Sequence, residues 1–356
     1  KLSTFAACPY KYFSKYILEL EMREEFKFEP LDIGDFYHRA LDGVQKQLQA
    51  EKTNFADIAD RHLLEILRNQ TSIIMHNDKF ISNFMRRRLH NKYIMDFACT
   101  ALENCVTAIA QMVRAGEFRP VQSELAFADY KISLSNSNIL VLSGKIDRLD
   151  VAEIDGKKIA AVFDYKRKSK SYSWQIFYYG IDMQLAIYML AIRQAACKFG
   201  IEDIAGTFYI PVEAEVKSAN LDELTKEKFN YKARGIFNGQ YFQQFDQNAI
   251  STKTKFYNFR VTKDGQPYSD YGRSGALTPD DFEKVLQFTQ EKIKQISEQI
   301  VSGKINVWPY RIGTESACSF CDYKPVCRFD WQINEYHRLL PMGKTAVLES
   351  IGGANV

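Results

Sequence analysis

Residues 162–168, VFDYKRK, place an acid and a base two positions apart, Asp164 and Lys166. On a strand, positions i and i+2 leave the same face, so the two side chains converge. The preceding strand-like run, SGKIDRLD, ends an apolar stretch on the carboxylate of Asp147. Two carboxylates and a lysine on adjacent strands are the groups that metal-assisted phosphodiester hydrolysis requires. The acids hold Mg²⁺ or Mn²⁺ through oxygen, the ion polarises a phosphate and acidifies water, and the ammonium positions that water or offsets developing charge. An isolated DxK is more often a solvated strand end, so the pair gains weight only from its company.

That company is present. Downstream of Lys166, Gln184 and Tyr188 stand one helical turn apart on one face, able to meet a nucleic-acid backbone beside the metal. Upstream, GDFYHRALD carries His38 on a helix and SELAF carries Glu124 on the first strand, and either can add a metal ligand. The plainer readings are a packed histidine and a glutamine closing a local hydrogen bond. The run KRKSKSYSW offers Lys168 and Lys170 to phosphate and Tyr172 or Trp174 as stacking faces at the mouth of such a site, against the alternative of a solvated turn.

A second chemistry lies in CSFCDYKPVC, where Cys318, Cys321 and Cys327 are spaced with two and then five residues between them. Cys99, Cys105 and Cys197 sit in apolar helical patterns, where a free thiol behaves as a small hydrophobe. That leaves Cys8, in FAACPYKYF, as the natural fourth partner, joining the two ends of the chain. Uneven, thiolate-only spacing suits a [4Fe–4S] cluster better than the paired CxxC units of structural zinc. Zinc and a coincidental cysteine-rich segment remain the alternatives.

These residues need a framework. The chain has 356 residues, 46% of them hydrophobic, enough for a sizeable core, and its net charge of +3 confines any nucleic-acid surface to a local patch. No apolar run reaches the roughly 20 residues of a membrane span, which points to a cytoplasmic protein with no membrane partner. A first residue of Lys rather than Met suggests a piece of a longer polypeptide. Helical spacing covers residues 1–20, with Cys8 on a short helix; a second helix starts at Asp32 as its cap, and residues 55–115 are helical throughout and contain RRRLHNK. The period then becomes two, giving strands at VQSELAFADYKISL, ILVLSGKIDRLDVAEI and KKIAAVFDYKRK. A helix ending at Gly200, a buried strand in IAGTFYIPV and a helix over 278–302 complete an α/β order.

Taken in order, GDFYH, SELAF, GKIDRLD, VFDYK and QLAIY resemble the PD-(D/E)xK nuclease superfamily, in the branch related to the RecB nuclease domain. Cys8 with C-x2-C-x5-C resembles the iron–sulfur-stapled subset of that branch. LSTFAACPYKYFSKYIL, DIGDFYHRALD and YGIDMQLAIY resemble the C-terminal nuclease domains of AddB-type subunits of bacterial AddAB helicase–nucleases. The likeness runs from Leu2 to about Arg338.

The resemblance implies a restriction-endonuclease-like α/β core, with a central mixed sheet flanked by helices, a helical insertion, and a cluster joining the chain ends. It divides the chain into N-terminal helices over 1–50, an insertion over 51–118, a catalytic core over 119–260, a C-terminal helix and cluster segment over 261–340, and a tail over 341–356. It implies that Asp147 and Asp164 bind the metal with His38, that Lys166 is the catalytic lysine and that Gln184 and Tyr188 form a QxxxY motif. Glu124 stands as a further candidate ligand, and Cys8, Cys318, Cys321 and Cys327 match the four cluster ligands. It implies an active Mg²⁺-dependent deoxyribonuclease and exonuclease in break repair and recombination, cutting a DNA strand unwound with an AddA-type partner. Rival readings are a non-catalytic iron–sulfur DNA-binding module, a structural interaction domain, and a CRISPR-adaptation exonuclease, which shares the spacing but is shorter.

Overall fold

The computed structural model describes residues 1–21, 30–135, 137–214, 229–249 and 254–352. The chain opens with α1 (Leu2–Ala7) and α2 (Pro9–Tyr16), separated by Cys8 in an extended conformation at φ −168° and ψ 119°. The expected single helix is therefore broken at its cysteine. Pro9 disfavours a helical residue before it and suits the first turn of the helix it begins. In the same way α3 (Pro30–Ala50) starts on a proline, so Asp32 lies inside its first turn and is not its cap.

Helices α4 (Asp60–Asn77), α5 (Lys79–Arg87) and α6 (Leu89–Ala115) occupy the stretch expected to be helical. Three long strands follow: β1 (Arg119–Ser133), β2 (Ile139–Ile154) and β3 (Lys157–Lys166). A short α7 (Trp174–Tyr178) precedes α8 (Gln184–Phe199), which ends where Gly200 turns left-handed at φ 61°. Then come β4 (Asp203–Pro211), β5 (Arg234–Asn238), α9 (Phe242–Phe245), β6 (Ala276–Leu277) and α10 (Pro279–Val301), the last capped by the Thr278 hydroxyl.

The six strands form one sheet in sequence order, antiparallel except for the parallel pairs β3/β4 and β5/β6. This is the mixed sheet flanked by helices that was expected. Its period-two pattern divides the core. Along β3, Ala160 and Val162 join α8 and α10 on one face, while Ala161, Phe163 and Tyr165 join α3, α4 and α6 on the other. A strand covered on both faces reads as a nearly unbroken apolar run, so the charge at Asp164 is conspicuous within it.

A small second sheet of β7 (Tyr310–Ile312), β8 (Glu315–Ser316) and β9 (His337–Arg338) frames the cysteine segment, which includes α11 (Lys324–Cys327). The stretch expected to be a tail instead forms α12 (Lys344–Gly352), which buries Val347 and Leu348 in the α8/α10 core. Its apolar pattern is too short to announce itself. Among the described residues no helix is long and apolar enough to cross a membrane.

Candidate active site

The end of β3 carries the central acid. Asp164 is 1% exposed, and its Oδ1 accepts a 2.7 Å hydrogen bond from Gln184 Nε2 at the start of α8. The same amide lies 2.8 Å from the Tyr188 hydroxyl one turn later. Gln184 and Tyr188 thus orient a carboxylate, which is more than the local hydrogen bond of the plainer reading. Asp164 Oδ2 is buried and accepts no well-directed hydrogen bond, although the Lys166 ammonium lies against it as an ion pair. Burial and then the neighbouring Asp147 charge push the Asp164 carboxyl up to about 6, against the pull of Lys166 and His38.

Asp147, on β2, is tethered in the same manner. Its Oδ2 accepts the backbone N–H of Tyr165 at 2.7 Å, and its Oδ1 faces His38 Nδ1 at 3.3 Å. Helix α3 brings His38 in from the opposite layer, and Glu124 Oε1 approaches the same Nδ1 at 3.6 Å while pairing with Lys145. Burial pulls the imidazole down, but Asp147 and Glu124 outweigh it, so the His38 pKa is raised to about 10. Glu124 has a left-handed backbone at φ 51° inside a strand. For a residue with a Cβ such a conformation costs on the order of 1–3 kcal/mol and persists only where the surroundings impose it.

A divalent cation fits this donor set. His38, Glu124 and Asp147 each offer a ligand atom, and those atoms lie within 4.8 Å of one another. The repulsion from Asp147 that adds to burial in raising the Asp164 pKa would be relieved by a positive charge there. All six residues expected at the catalytic site, together with Glu124, come together in one place.

Two further constellations escaped the sequence reading. Glu213, just beyond β4, accepts from the Tyr37 hydroxyl at 2.9 Å and from Arg167 Nε at 2.7 Å on one oxygen. Tyr37 adjoins His38 and Arg167 adjoins Lys166, so this carboxylate ties together the backbones that carry two site residues. Arg148, next to Asp147, is buried against Asp150 at 2.8 Å, Tyr165 at 3.2 Å and the Phe163 ring at 4.2 Å. The only sequence signal was the alternation of charge within IDRLD.

The expectation for KRKSKSYSW needs correction. The Tyr172 and Trp174 rings contact one another at 5.1 Å and also Phe177, and both pack against the α8/α10 core. Lys170 is held by Asp182 and by the Tyr209 hydroxyl. Aromatic residues beside a basic run read as a nucleic-acid surface, but these two pack against the core.

At the chain ends, Cys8, Cys318, Cys321 and Cys327 line one small pocket with Phe329 and Pro309. All four are free thiols, and burial together with the other three thiols pushes the Cys318 thiol up. The Tyr323 hydroxyl donates to Leu20 O at 3.2 Å, a second link between the ends. The lining contains no histidine or carboxylate, so the donor set fits a thiolate-bound metal or cluster. Cys105 is fully buried and Cys99 half-buried, as expected of core thiols; the side chain of Cys197 lies outside those described.

The sequence matches the PD-(D/E)XK nuclease superfamily over residues 1–328. The chain belongs to this superfamily. Within it, the PD-(D/E)XK chain is similar to B-type subunits of ATP-dependent helicase/deoxyribonucleases. It is 29% identical to that of Clostridioides difficile (strain 630), over 99% of its own length and 32% of the relative's. It is 29% identical to that of Thermoanaerobacter sp. (strain X514), over 93% of its length and 29% of the relative's. For Symbiobacterium thermophilum the identity is 27%, over 99% of the chain and 31% of the relative. The chain thus spans about a third of the length of these curated relatives.

Proposed function

We propose that this chain is the metal-dependent deoxyribonuclease domain of a helicase–nuclease subunit of the AddB type. It acts in the cytoplasm on a DNA strand that an AddA-type partner helps to unwind, in double-strand-break repair and recombination. The observation that carries the reading is the convergence of Asp164, Lys166 and Gln184 with Asp147, Glu124 and His38 at one end of the sheet. Asp147, Asp164 and Glu124, with His38, hold Mg²⁺ or Mn²⁺. A cation held there supplies Lewis-acid polarisation of the scissile phosphate and a more acidic water. Lys166 keeps its ammonium at the carboxylate, where it orients the attacking water and offsets charge developing on the phosphoryl oxygens. Gln184 holds Asp164 Oδ1, leaving Oδ2 to face the Lys166 ammonium. Cys8, Cys318, Cys321 and Cys327 hold a [4Fe–4S] cluster that staples the two ends and takes no part in hydrolysis, which needs no electrons.

The test is cleavage of labelled DNA with and without Mg²⁺ or Mn²⁺. Asp164→Ala and Lys166→Ala are expected to remain folded and to lose at least about a hundredfold in rate, the scale of losing one positioned electrostatic group. Undiminished cleavage by Asp164→Ala sinks the assignment. Iron and sulfide near four each per chain, in protein purified anaerobically, are expected for the cluster.

A further inference from the structure

Among the described residues, three cations face the acids of the site, and they differ in how firmly they are held. Lys166, 27% exposed, lies against the buried Asp164, and His38, 30% exposed, stands between Asp147 and Glu124. Lys145 is 58% exposed, and its ion pair is with Glu124 through Oε2, the oxygen that does not approach His38. It stands on β2 two residues before Asp147, so the two side chains leave the same face of the strand. It is also the last exposed residue before the buried run that starts at Ile146, which puts it at the rim of the site. Asp147 and Asp35 add to the negative field around it.

We propose that Lys145 occupies Glu124 as a stand-in cation and, once a divalent ion is held by Glu124, Asp147 and His38, turns outward to bind a phosphate of the substrate. The inference rests on the nuclease reading above and adds a substrate-binding residue to it. Glu124 is at once a candidate metal ligand and the anchor of this lysine, and one carboxylate cannot satisfy both in full. A divalent charge beside Glu124 repels the ammonium and weakens its hold on the carboxylate. An ion pair this exposed is weak to begin with, because water competes for both partners. The flexible four-carbon stem then lets the ammonium swing without moving β2, and a lysine binds phosphate as a point charge that needs no fixed approach. The acids are set deeper than this lysine, with Glu124 16% exposed and Asp147 7%, so a polyanion approaching the site meets Lys145 before it meets them.

The experiment compares Lys145→Met and Lys145→Arg with the unaltered chain in two kinds of binding. One is Mn²⁺ binding without DNA, read from the paramagnetic resonance of the free ion; the other is binding of a fluorescent thymidine oligonucleotide in EDTA and in saturating Ca²⁺. Lys145→Met is expected to bind Mn²⁺ at least about threefold more tightly, because a competing charge is gone. Its DNA affinity in EDTA should stay within about twofold of the unaltered chain, whose lysine is then occupied by Glu124. In Ca²⁺ that affinity should fall about tenfold, and the slope of log affinity against log salt should become shallower by about 0.7, the share of one phosphate contact on a single strand. Lys145→Arg, which keeps the charge, should restore the Ca²⁺ affinity to within about threefold. Weaker Mn²⁺ binding by Lys145→Met overturns the proposal and makes Lys145 a group that only positions Glu124. A salt slope unchanged in Ca²⁺, or an equal loss of DNA affinity in EDTA and in Ca²⁺, overturns it as well. The nuclease reading fails separately, if the unaltered chain cleaves no DNA in Mn²⁺ while both kinds of binding behave as expected.

Discussion

Replacing Glu213 by Ala tests whether the site is positioned from behind. Its carboxylate is 12% exposed and one oxygen receives both Tyr37 and Arg167, while the backbone at 212 and 213 pairs with the Lys166 and Arg167 carbonyls at 2.8 Å. Removing it deletes a hydrogen bond to a charged group, worth about 1.5–3 kcal/mol, and leaves the hydroxyl of Tyr37, a residue only 1% exposed, without its acceptor. Arg167 is a third exposed and regains water, so the expected loss of stability is about 2–4 kcal/mol. The catalytic loss comes from a different source. With the tie gone, His38 and Lys166 are no longer held to a common anchor, and a displacement of about 1 Å costs on the order of a hundredfold. Steady-state cleavage of a single strand should therefore show kcat lowered about a hundredfold with KM changed less than about threefold, since no substrate contact is removed. Glu213→Gln keeps an acceptor oxygen and should recover most of the rate. Tyr37→Phe combined with Glu213→Ala should be no worse than Glu213→Ala alone, because both act through one tie. A Glu213→Ala protein that unfolds earlier yet keeps kcat refutes the reasoning and leaves Glu213 a purely structural group.

Gln184→Ala frees Asp164 to rotate and should lower metal-dependent cleavage about 10–100-fold, as does the loss of other groups that orient ligands, with single-strand binding in Ca²⁺ retained. Asp150 has its pKa raised to about 6 by burial, against the pull of Arg148, so the native state holds its proton more tightly than the unfolded chain. The stability it contributes is present below about pH 4 and lost as pH rises through about 6. Urea unfolding at pH 4.5 and 7 should show this slope reduced when Arg148→Met and Asp150→Leu are combined, whereas Arg148→Met alone should cost about 3–5 kcal/mol at pH 7 by orphaning a buried charge. Cys8→Ala should lower iron content and make both chain ends protease-sensitive while Asp147, Asp164 and Lys166 are untouched; full iron and intact ends would remove Cys8 from the ligand set.

The long elements were legible because local pattern and tertiary role agree in them. β3 alternates cleanly between two cores, and α10 starts on Thr-Pro and runs 23 residues. The site residues on those elements were legible for the same reason, since a charge in a buried run stands out. What was missed depends on contacts distant in sequence. β6 is two residues long and exists only because β5 pairs with it, and no local signal marks it. Glu213 reads as one acid among many until α3 and β3 bring Tyr37 and Arg167 to it. The break at Cys8 was visible in the dipeptide Cys-Pro, but the aromatic spacing on both sides concealed it.

The two central acids share a design that the linear motif does not express. Each has one oxygen committed to the protein, Asp147 Oδ2 to the Tyr165 N–H and Asp164 Oδ1 to Gln184, and each turns its other oxygen toward a basic group, His38 or Lys166. A carboxylate held in this way cannot rotate to relieve its neighbour's charge. The repulsion between Asp147 and Asp164 is therefore built in, and it adds to the burial that raises the Asp164 pKa. Lys145 meets Glu124, Lys166 meets Asp164, and His38 faces both Asp147 and Glu124, but none reaches all of these acids. A divalent ion held by Asp147, Glu124 and His38 would offset charge that these separate side chains offset only in part. Glu124 keeps a left-handed backbone within a strand while its carboxylate oxygen lies within 4.8 Å of the His38 and Asp147 donor atoms.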